Sequence, residues 1–165
     1  MSTAFDTHSM DFLVELGIKR IKIPSGELTN VPLLRHCAKQ DLPIILSTGM
    51  ANLAEVIDAK AVLLDAGVNT ADLSILHCNT AYPTPFIDAN LACIQTLSKL
   101  GCAVGYSDHT LGDEAIIASI ALGAGIVEKH FTLNRTMDGP DQATSLEPDE
   151  LLTMVNRIRL SLIHI

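Results

Sequence analysis

Ala103-Val-Gly-Tyr-Ser-Asp-His-Thr-Leu-Gly-Asp-Glu-Ala-Ile-Ile-Ala-Ser-Ile-Ala-Leu-Gly-Ala-Gly-Ile-Val-Glu-Lys-His130 reads in one pass as strand, polar turn, helix and strand. The run Ala103–Tyr106 gives way to Ser107-Asp108-His109-Thr110. Asp113–Leu122 then has helical patterning and stops at Gly123, where glycine suits the helix end. Ile126–Glu128 is the next strand, closed by Lys129-His130-Phe131-Thr132.

The same rhythm extends towards the N-terminus. Arg20–Ile23, Pro43–Leu46 and Asp72–Leu76 are short apolar runs, each followed by a polar or glycine-bearing stretch. Asn30-Val31-Pro32 opens a helix to Gln40, with proline in its first turn. Asn52 opens a second, Leu53–Ala66, which Gly67 stops. A third is expected from Asp88 to just before Gly101. Towards the C-terminus Ser145-Leu146-Glu147-Pro148 opens a last helix, with Leu151, Leu152, Val155 and Ile158 at helical spacing.

Strand and helix thus alternate at intervals of roughly 25 to 30 residues, the length of successive βα units. The strands are almost wholly apolar, as in a parallel sheet covered on both faces. A doubly wound sheet and a (β/α)8 barrel both have this rhythm. The barrel is favoured because nearly every strand ends in a polar cluster. A barrel gathers all its strand C-termini on one active face, whereas an open sheet uses its switch point. Five clear strands are legible, and Ser2-Thr3-Ala4-Phe5 resembles the tail of a sixth. A closed barrel has about eight. Leu160-Ser-Leu-Ile-His-Ile165 adds apolar residues with no stop signal. Residues 1–165 are therefore expected to be a partial barrel domain, cut at both ends.

Composition narrows the function. The chain is 48% hydrophobic and 18% charged, with a net charge of −8. It has no basic run to neutralise phosphates, so nucleic acid is not an expected partner. Cys37, Cys78, Cys93 and Cys102 have neither CxxC pairing nor zinc-finger spacing and read as free thiols of a reducing cytosol. Neither a signal peptide nor an apolar run of membrane-spanning length is legible. A cytoplasmic protein without membrane contact is the expectation.

The candidate chemistry lies at the strand ends. In a strand, residues i and i+2 share a face, so Ser107 and His109 point together, as do Glu128 and His130. Two imidazoles on successive strands can meet around one divalent ion and leave positions for water and substrate. Two hydrogen-bonded core histidines are the competing reading. Lys22, set between isoleucines, needs an anion or a path to the rim. Ser25, Ser47 and Ser107 repeat a hydroxyl at three strand ends and, with Thr3 and glycine-backed turns, can cradle a phosphate. Serine at such a junction is also a common helix cap. Tyr82 in a Pro-rich loop and Asp141 after Gly139-Pro140 either contact a polar substrate or shape their loops. There is no Walker A or dinucleotide fingerprint.

Together these motifs resemble the sialic acid synthases, the family of N-acetylneuraminate, legionaminate and pseudaminate synthases. The resemblance rests on Ser-Thr-Ala-Phe-Asp (2–6), Lys-Ile-Pro-Ser-Gly-Glu (22–27), Leu-Ser-Thr-Gly-Met (46–50) and His-Cys-Asn-Thr-Ala-Tyr-Pro-Thr-Pro (77–85). Gly-Tyr-Ser-Asp-His-Thr-Leu-Gly (105–112), Glu-Lys-His-Phe-Thr (128–132) and Gly-Pro-Asp (139–141) complete it. It implies condensation of phosphoenolpyruvate with an N-acetylated amino sugar such as N-acetylmannosamine, giving a nine-carbon keto acid and phosphate. It implies a divalent metal, Mn²⁺ or Mg²⁺, on His109 and His130. Thr3, Lys22, Ser25, Ser47 and Ser107 would hold phosphoenolpyruvate. Phe5, Thr80, Tyr82, Glu128 and Asp141 would line the sugar site. Lys22, Glu27 and Glu128 would be the catalytic groups, with Glu27 handling a proton or water.

Ala4 replaces the family's usual proline, and Gln142 stands where histidine is frequent. The family's first barrel strands have no counterpart here. Neither does its C-terminal antifreeze-like domain, which in family homodimers extends an arginine into the partner's site. Two other readings stay open. One is a related phosphoenolpyruvate-condensing synthase acting on a sugar phosphate, which should show a further basic cluster beyond Lys22 and Lys129. The other is a catalytically inactive truncated fragment, and under either synthase reading residues 1–165 alone are expected to show little or no turnover.

Overall fold

The computed structural model describes residues 1–162, so the apolar C-terminal stretch is seen only as far as Leu162. The chain divides into two compact units, Met1–Leu76 with Ser98–Ala103, and His77–Leu97 with the residues from Val104 onward.

The first unit holds β1 (Ser2–Thr3), β2 (Ile21–Ile23), β3 (Ile44–Ser47) and the first four residues of β4 (Leu73–Cys78). These pair in parallel and in sequence order, through registers that include Thr3↔Lys22, Ile23↔Leu46 and Leu46↔Ile75. The order shows no reversal, the arrangement expected of a barrel rather than of a sheet with a switch point. Ile23, Leu46 and Ile75 form one buried row across three strands. Between the strands come α1 (Thr7–Glu15), α2 (Val31–Ala38) and α3 (Leu53–Asp65), with α2 packed against both α1 and α3. Asn30 caps α2 by accepting the Leu33 N–H at 3.2 Å. Asn52 and Glu55 form a reciprocal capping box at the start of α3. Gly67 follows α3 at φ +108, a conformation that disfavours any side chain.

Helix α1 has no counterpart among the expected elements. Its start is signalled by Asp6, whose carboxylate accepts the Ser9 N–H at 2.8 Å. Its apolar face is thin, because Met10 is its one buried residue.

The second unit carries the end of β4, then α4 (Cys93–Ser98) as far as Leu97, β5 (Ala103–Asp108) from Val104 onward, α5 (Glu114–Ala121), β6 (Ile126–Lys129) and α6 (Pro148–Ser161). β5 and β6 pair in parallel, with Ser107 opposite Glu128 and Asp108 opposite Lys129. The helix expected from Asp88 to Gly101 is corrected. A short 3-10 turn at Phe86–Asp88 is followed by Asn90 at φ 44, which breaks the run before α4 begins at Cys93. α6 starts where expected, through a capping box of Glu147 and Glu150 behind Pro148. Among the described residues, no helix is long and apolar enough to cross a membrane.

Candidate metal and substrate site

In the second unit, the ladder of β5 and β6 settles which side chains meet. Ser107 and Glu128 are registered partners, and the Ser107 hydroxyl donates to Glu128 Oε1 at 2.7 Å. One residue beyond each strand the chain still alternates, so His109 lies above Ser107 and His130 above Glu128. Their rings stand nearly perpendicular, with centroids 5.2 Å apart and planes at 73°.

A hydrogen bond holds the His109 ring, and a carboxylate lies near that of His130. His109 Nδ1 is 2.5 Å from the Asn79 carbonyl, so in the neutral ring it donates there and Nε2 keeps a lone pair. Burial pushes the His109 pKa down and favours this neutral form. His130 Nδ1 lies 3.6 Å from Asp141 Oδ2. The His130 carbonyl is held by the Leu146 N–H at 2.9 Å. Tyr82 covers the pair, its ring centroid 4.1 Å from that of His109 and 5.5 Å from that of His130. The Tyr82 loop is tied to the same place, because the Thr84 N–H donates to the His109 carbonyl at 2.8 Å.

This donor set fits a divalent ion. Imidazoles sharing one ion, with metal–nitrogen bonds of about 2.0–2.1 Å, have ring centroids roughly 4.5–5.3 Å apart for bond angles from 90° to tetrahedral. A carbonyl behind one ring and a carboxylate behind the other are the usual outer partners of metal-binding histidines. Among the described residues no group of three or more histidine, cysteine or acidic side chains has metal-holding geometry. Two imidazoles are therefore the protein ligands on offer, a number that leaves most of the coordination sphere to water or substrate.

Of the expected site residues, Tyr82, Ser107, His109, Glu128, His130 and Asp141 form this connected cluster. The Ser107 hydroxyl donates to Glu128, a partnership that sequence reading missed. Thr80 is exposed in the loop between Asn79 and Tyr82. Lys129, counted from sequence as a strand-end cation, is instead paired with Asp108 at 2.7 Å.

The other candidates lie in the first unit. Lys22 is buried in β2 between buried isoleucines. Ser25 and Glu27 belong to the 3-10 turn that follows β2. Glu27 Oε2 accepts from the Asn30 amide at 2.6 Å, which ties this carboxylate to the start of α2. Ser47 is buried at the end of β3, and its hydroxyl has no hydrogen-bond partner. It is not a helix cap, and an orphaned buried hydroxyl is the kind of group a polar ligand satisfies. Thr3 is half-buried and Phe5 exposed.

The NeuB family model matches residues 1–163. The chain belongs to the NeuB family. It is 51% identical over 160 residues to the N,N'-diacetyllegionaminic acid synthase of Campylobacter jejuni, covering 96% of this chain and 48% of that protein. It is 48% identical over 162 residues to the enzyme of the same name from Legionella pneumophila, covering 96% of this chain and 46% of that protein. Among solved structures, the spore coat polysaccharide biosynthesis protein SpsE of Bacillus subtilis superposes with a TM-score of 0.95 at 36% identity. That match covers 99% of this chain and 46% of SpsE. The chain thus spans about half the length of the curated relatives it matches, and its fold is that of SpsE over nearly all its residues.

His77 stands apart from the cluster. It is buried, stacks on Tyr106 with centroids 5.6 Å apart, and lies 2.7 Å from the Ala89 carbonyl through Nε2. Burial lowers its pKa below the ordinary 6.5. The unfolded chain therefore binds the His77 proton at a pH where the folded chain does not, and stability falls as pH drops below about 6.5. Urea midpoints measured at about pH 7.5 and about pH 5.5 should show this loss. His109, whose pKa burial also lowers, adds a loss of the same sign. His77→Gln, which keeps an N–H donor without the titration, should therefore make the dependence shallower; an unchanged slope would exclude His77 as a source.

Proposed function

We propose that this chain supplies catalytic groups of a sialic-acid-type synthase, which joins phosphoenolpyruvate to an N-acetylated amino sugar to give a nine-carbon keto acid and phosphate. The observation that carries the reading is the His109–His130 pair under Tyr82, with the Ser107–Glu128 pair below it on the same ladder face. The names of the two relatives at 51% and 48% identity favour a diacetamido sugar as acceptor over N-acetylmannosamine. The sheet is read as part of a closed (β/α)8 barrel in the whole protein, which acts as a homodimer.

In this reading Lys22, Ser25, Ser47, Thr3 and Ser107 take the phosphate and carboxylate of phosphoenolpyruvate. Buried Lys22 gives them their charge, and the unpartnered hydroxyl of Ser47 gains an acceptor oxygen. Phe5, Thr80, Tyr82, Glu128 and Asp141 line the sugar, and Tyr82 keeps bulk water off the imidazoles. His109 and His130 would hold a divalent ion, Mn²⁺ or Mg²⁺, which when bound would supply Lewis-acid polarisation of the open-chain sugar's carbonyl. The methylene carbon of phosphoenolpyruvate then bonds to the aldehyde carbon, whose oxygen takes up a proton. Water oriented by Glu27 or Glu128 adds to the cationic carbon left behind. Collapse of that adduct breaks its bond to the phosphate oxygen and leaves a ketone, while Lys22 and the hydroxyls stabilise the departing phosphate.

This sequence breaks a C–O bond and leaves the P–O bond intact. Turnover of phosphoenolpyruvate, Mn²⁺ and the diacetamido sugar by the whole protein in ¹⁸O-water should therefore release unlabelled phosphate. Mass spectrometry showing ¹⁸O in the phosphate, or equal turnover of a phosphorylated sugar, would replace this reading with another.

A further inference from the structure

The ladder that presents the site has a second face. Between Ser107 and His109 comes Asp108, and between Glu128 and His130 comes Lys129; alternation turns both away from the site residues. They are registered partners, joined at 2.7 Å through Nζ and Oδ2, with side chains 3% (Lys129) and 0% (Asp108) exposed. The other Asp108 oxygen accepts the Thr110 N–H at 2.8 Å. Lys129 Nζ also donates to the Thr110 carbonyl at 2.5 Å. Tyr106, two residues back on the same face, hydrogen-bonds Asp108 as well. Both backbone polar groups of buried Thr110 are thus held by one ion pair. His109 is bracketed by Asp108 and Thr110, and His130 directly follows Lys129.

We propose that the Asp108–Lys129 pair is a positioning device that sets the separation and facing of the His109 and His130 imidazoles. The proposal rests on the reading of those imidazoles as metal ligands. A fully buried ion pair gains little over a well-packed apolar pair of similar volume, because desolvation offsets the attraction. An apolar pair, however, cannot hold the Thr110 N–H and carbonyl at once. What the charges add is a fixed path for the chain on either side of His109 and a fixed height for His130. Ligand placement is demanding, and the loss of outer partners typically weakens metal binding about 10–100-fold.

The test compares the wild-type protein with Asp108→Leu/Lys129→Met, which replaces the pair by apolar side chains of similar size. In the metal-free protein, nitrogen-correlated NMR reads the His109 ring, whose Nδ1–H donates to Asn79. That signature should be present in wild type and lost or averaged in the double variant, even where the urea midpoint is close to wild type. Mn²⁺ titration followed by electron paramagnetic resonance should show affinity reduced about 10–100-fold in the folded double variant. A folded double variant that keeps both the His109 signature and wild-type Mn²⁺ affinity would overturn the proposal. Absence of Mn²⁺ binding in wild type, with the NMR contrast intact, would instead remove the metal reading and leave the positioning role standing. If the double variant does not fold, Lys129→Arg decides. Its planar guanidinium keeps the charge but cannot reproduce both the Asp108 and the Thr110 contacts. A shifted His109 signature supports the proposal, and an unchanged one overturns it.

Discussion

Alanine in place of His109 or His130 should weaken Mn²⁺ binding by more than the roughly 10–100-fold expected for loss of an outer partner. Each change removes one of two protein ligands. The same substitutions should lower condensation by at least ~10³-fold, because polarisation of the sugar carbonyl is worth several kcal/mol in the transition state and each ~1.4 kcal/mol is tenfold. The fold should tolerate them, since both side chains lie beyond the ends of their strands and neither fills the core. Urea midpoints close to wild type would separate lost ligation from lost structure. Asp141→Asn provides the graded control. It leaves both imidazoles in place but removes the carboxylate 3.6 Å behind His130, so its effect on Mn²⁺ affinity should be smaller. Titrations in which His109→Ala binds Mn²⁺ as tightly as wild type would mean that the two rings are not ligands. They would then be structural histidines at the strand ends, in line with the non-ligating reading that the sequence also allows.

Much of this arrangement is legible without coordinates, and the limits have physical causes. The strand ends are legible because short apolar runs give way abruptly to polar turns. The α3 start is legible because Asn52 and Glu55 stand at capping-box spacing, and its stop because Gly67 tolerates a positive φ. The facing of Ser107 with His109, and of Glu128 with His130, follows from the two-residue period of a strand. Which residue opposes which does not follow, since period carries no register. The Ser107–Glu128 hydrogen bond and the Asp108–Lys129 pair therefore appear only once the β5–β6 alignment is known. Lys129 misleads for the same reason: read alone it is a strand-end cation, but its partner lies 21 residues earlier. The error at residues 88–101 is local. Asn90 adopts a left-handed conformation that interrupts an otherwise helical pattern, and asparagine accommodates it without announcing it. Helix α1 escapes notice because its burial rests on Met10, so its apolar periodicity is faint.

The largest expected effect outside the site is at Leu46. It is fully buried in β3, with Ile23 opposite on one neighbouring strand and Ile75 on the other, and those two are 1% and 0% exposed. A side chain in the middle of such a row touches partners on both sides, so truncation leaves a hole that the paired backbones cannot collapse to fill. Leu46→Ala should lower stability by about 2–5 kcal/mol, the sum of lost transfer energy and residual cavity. Leu46→Met, close in volume and flexible in shape, should cost less than about 1.5 kcal/mol. Urea unfolding reads both, and equal midpoints for the two variants would show that the row is loosely packed. The position also separates stability from chemistry. Ser47 is the next residue and points to the opposite side of the strand, with its hydroxyl unpartnered. Leu46→Ala should therefore lower the midpoint while affinity for phosphoenolpyruvate, measured by calorimetry on the folded protein, changes little. Ser47→Ala should do the reverse, weakening phosphoenolpyruvate binding with almost no loss of stability, because no hydrogen bond within the protein is broken. A Ser47→Ala variant that is destabilised yet binds normally would place that hydroxyl in the core's own accounting and take it out of the anion cradle.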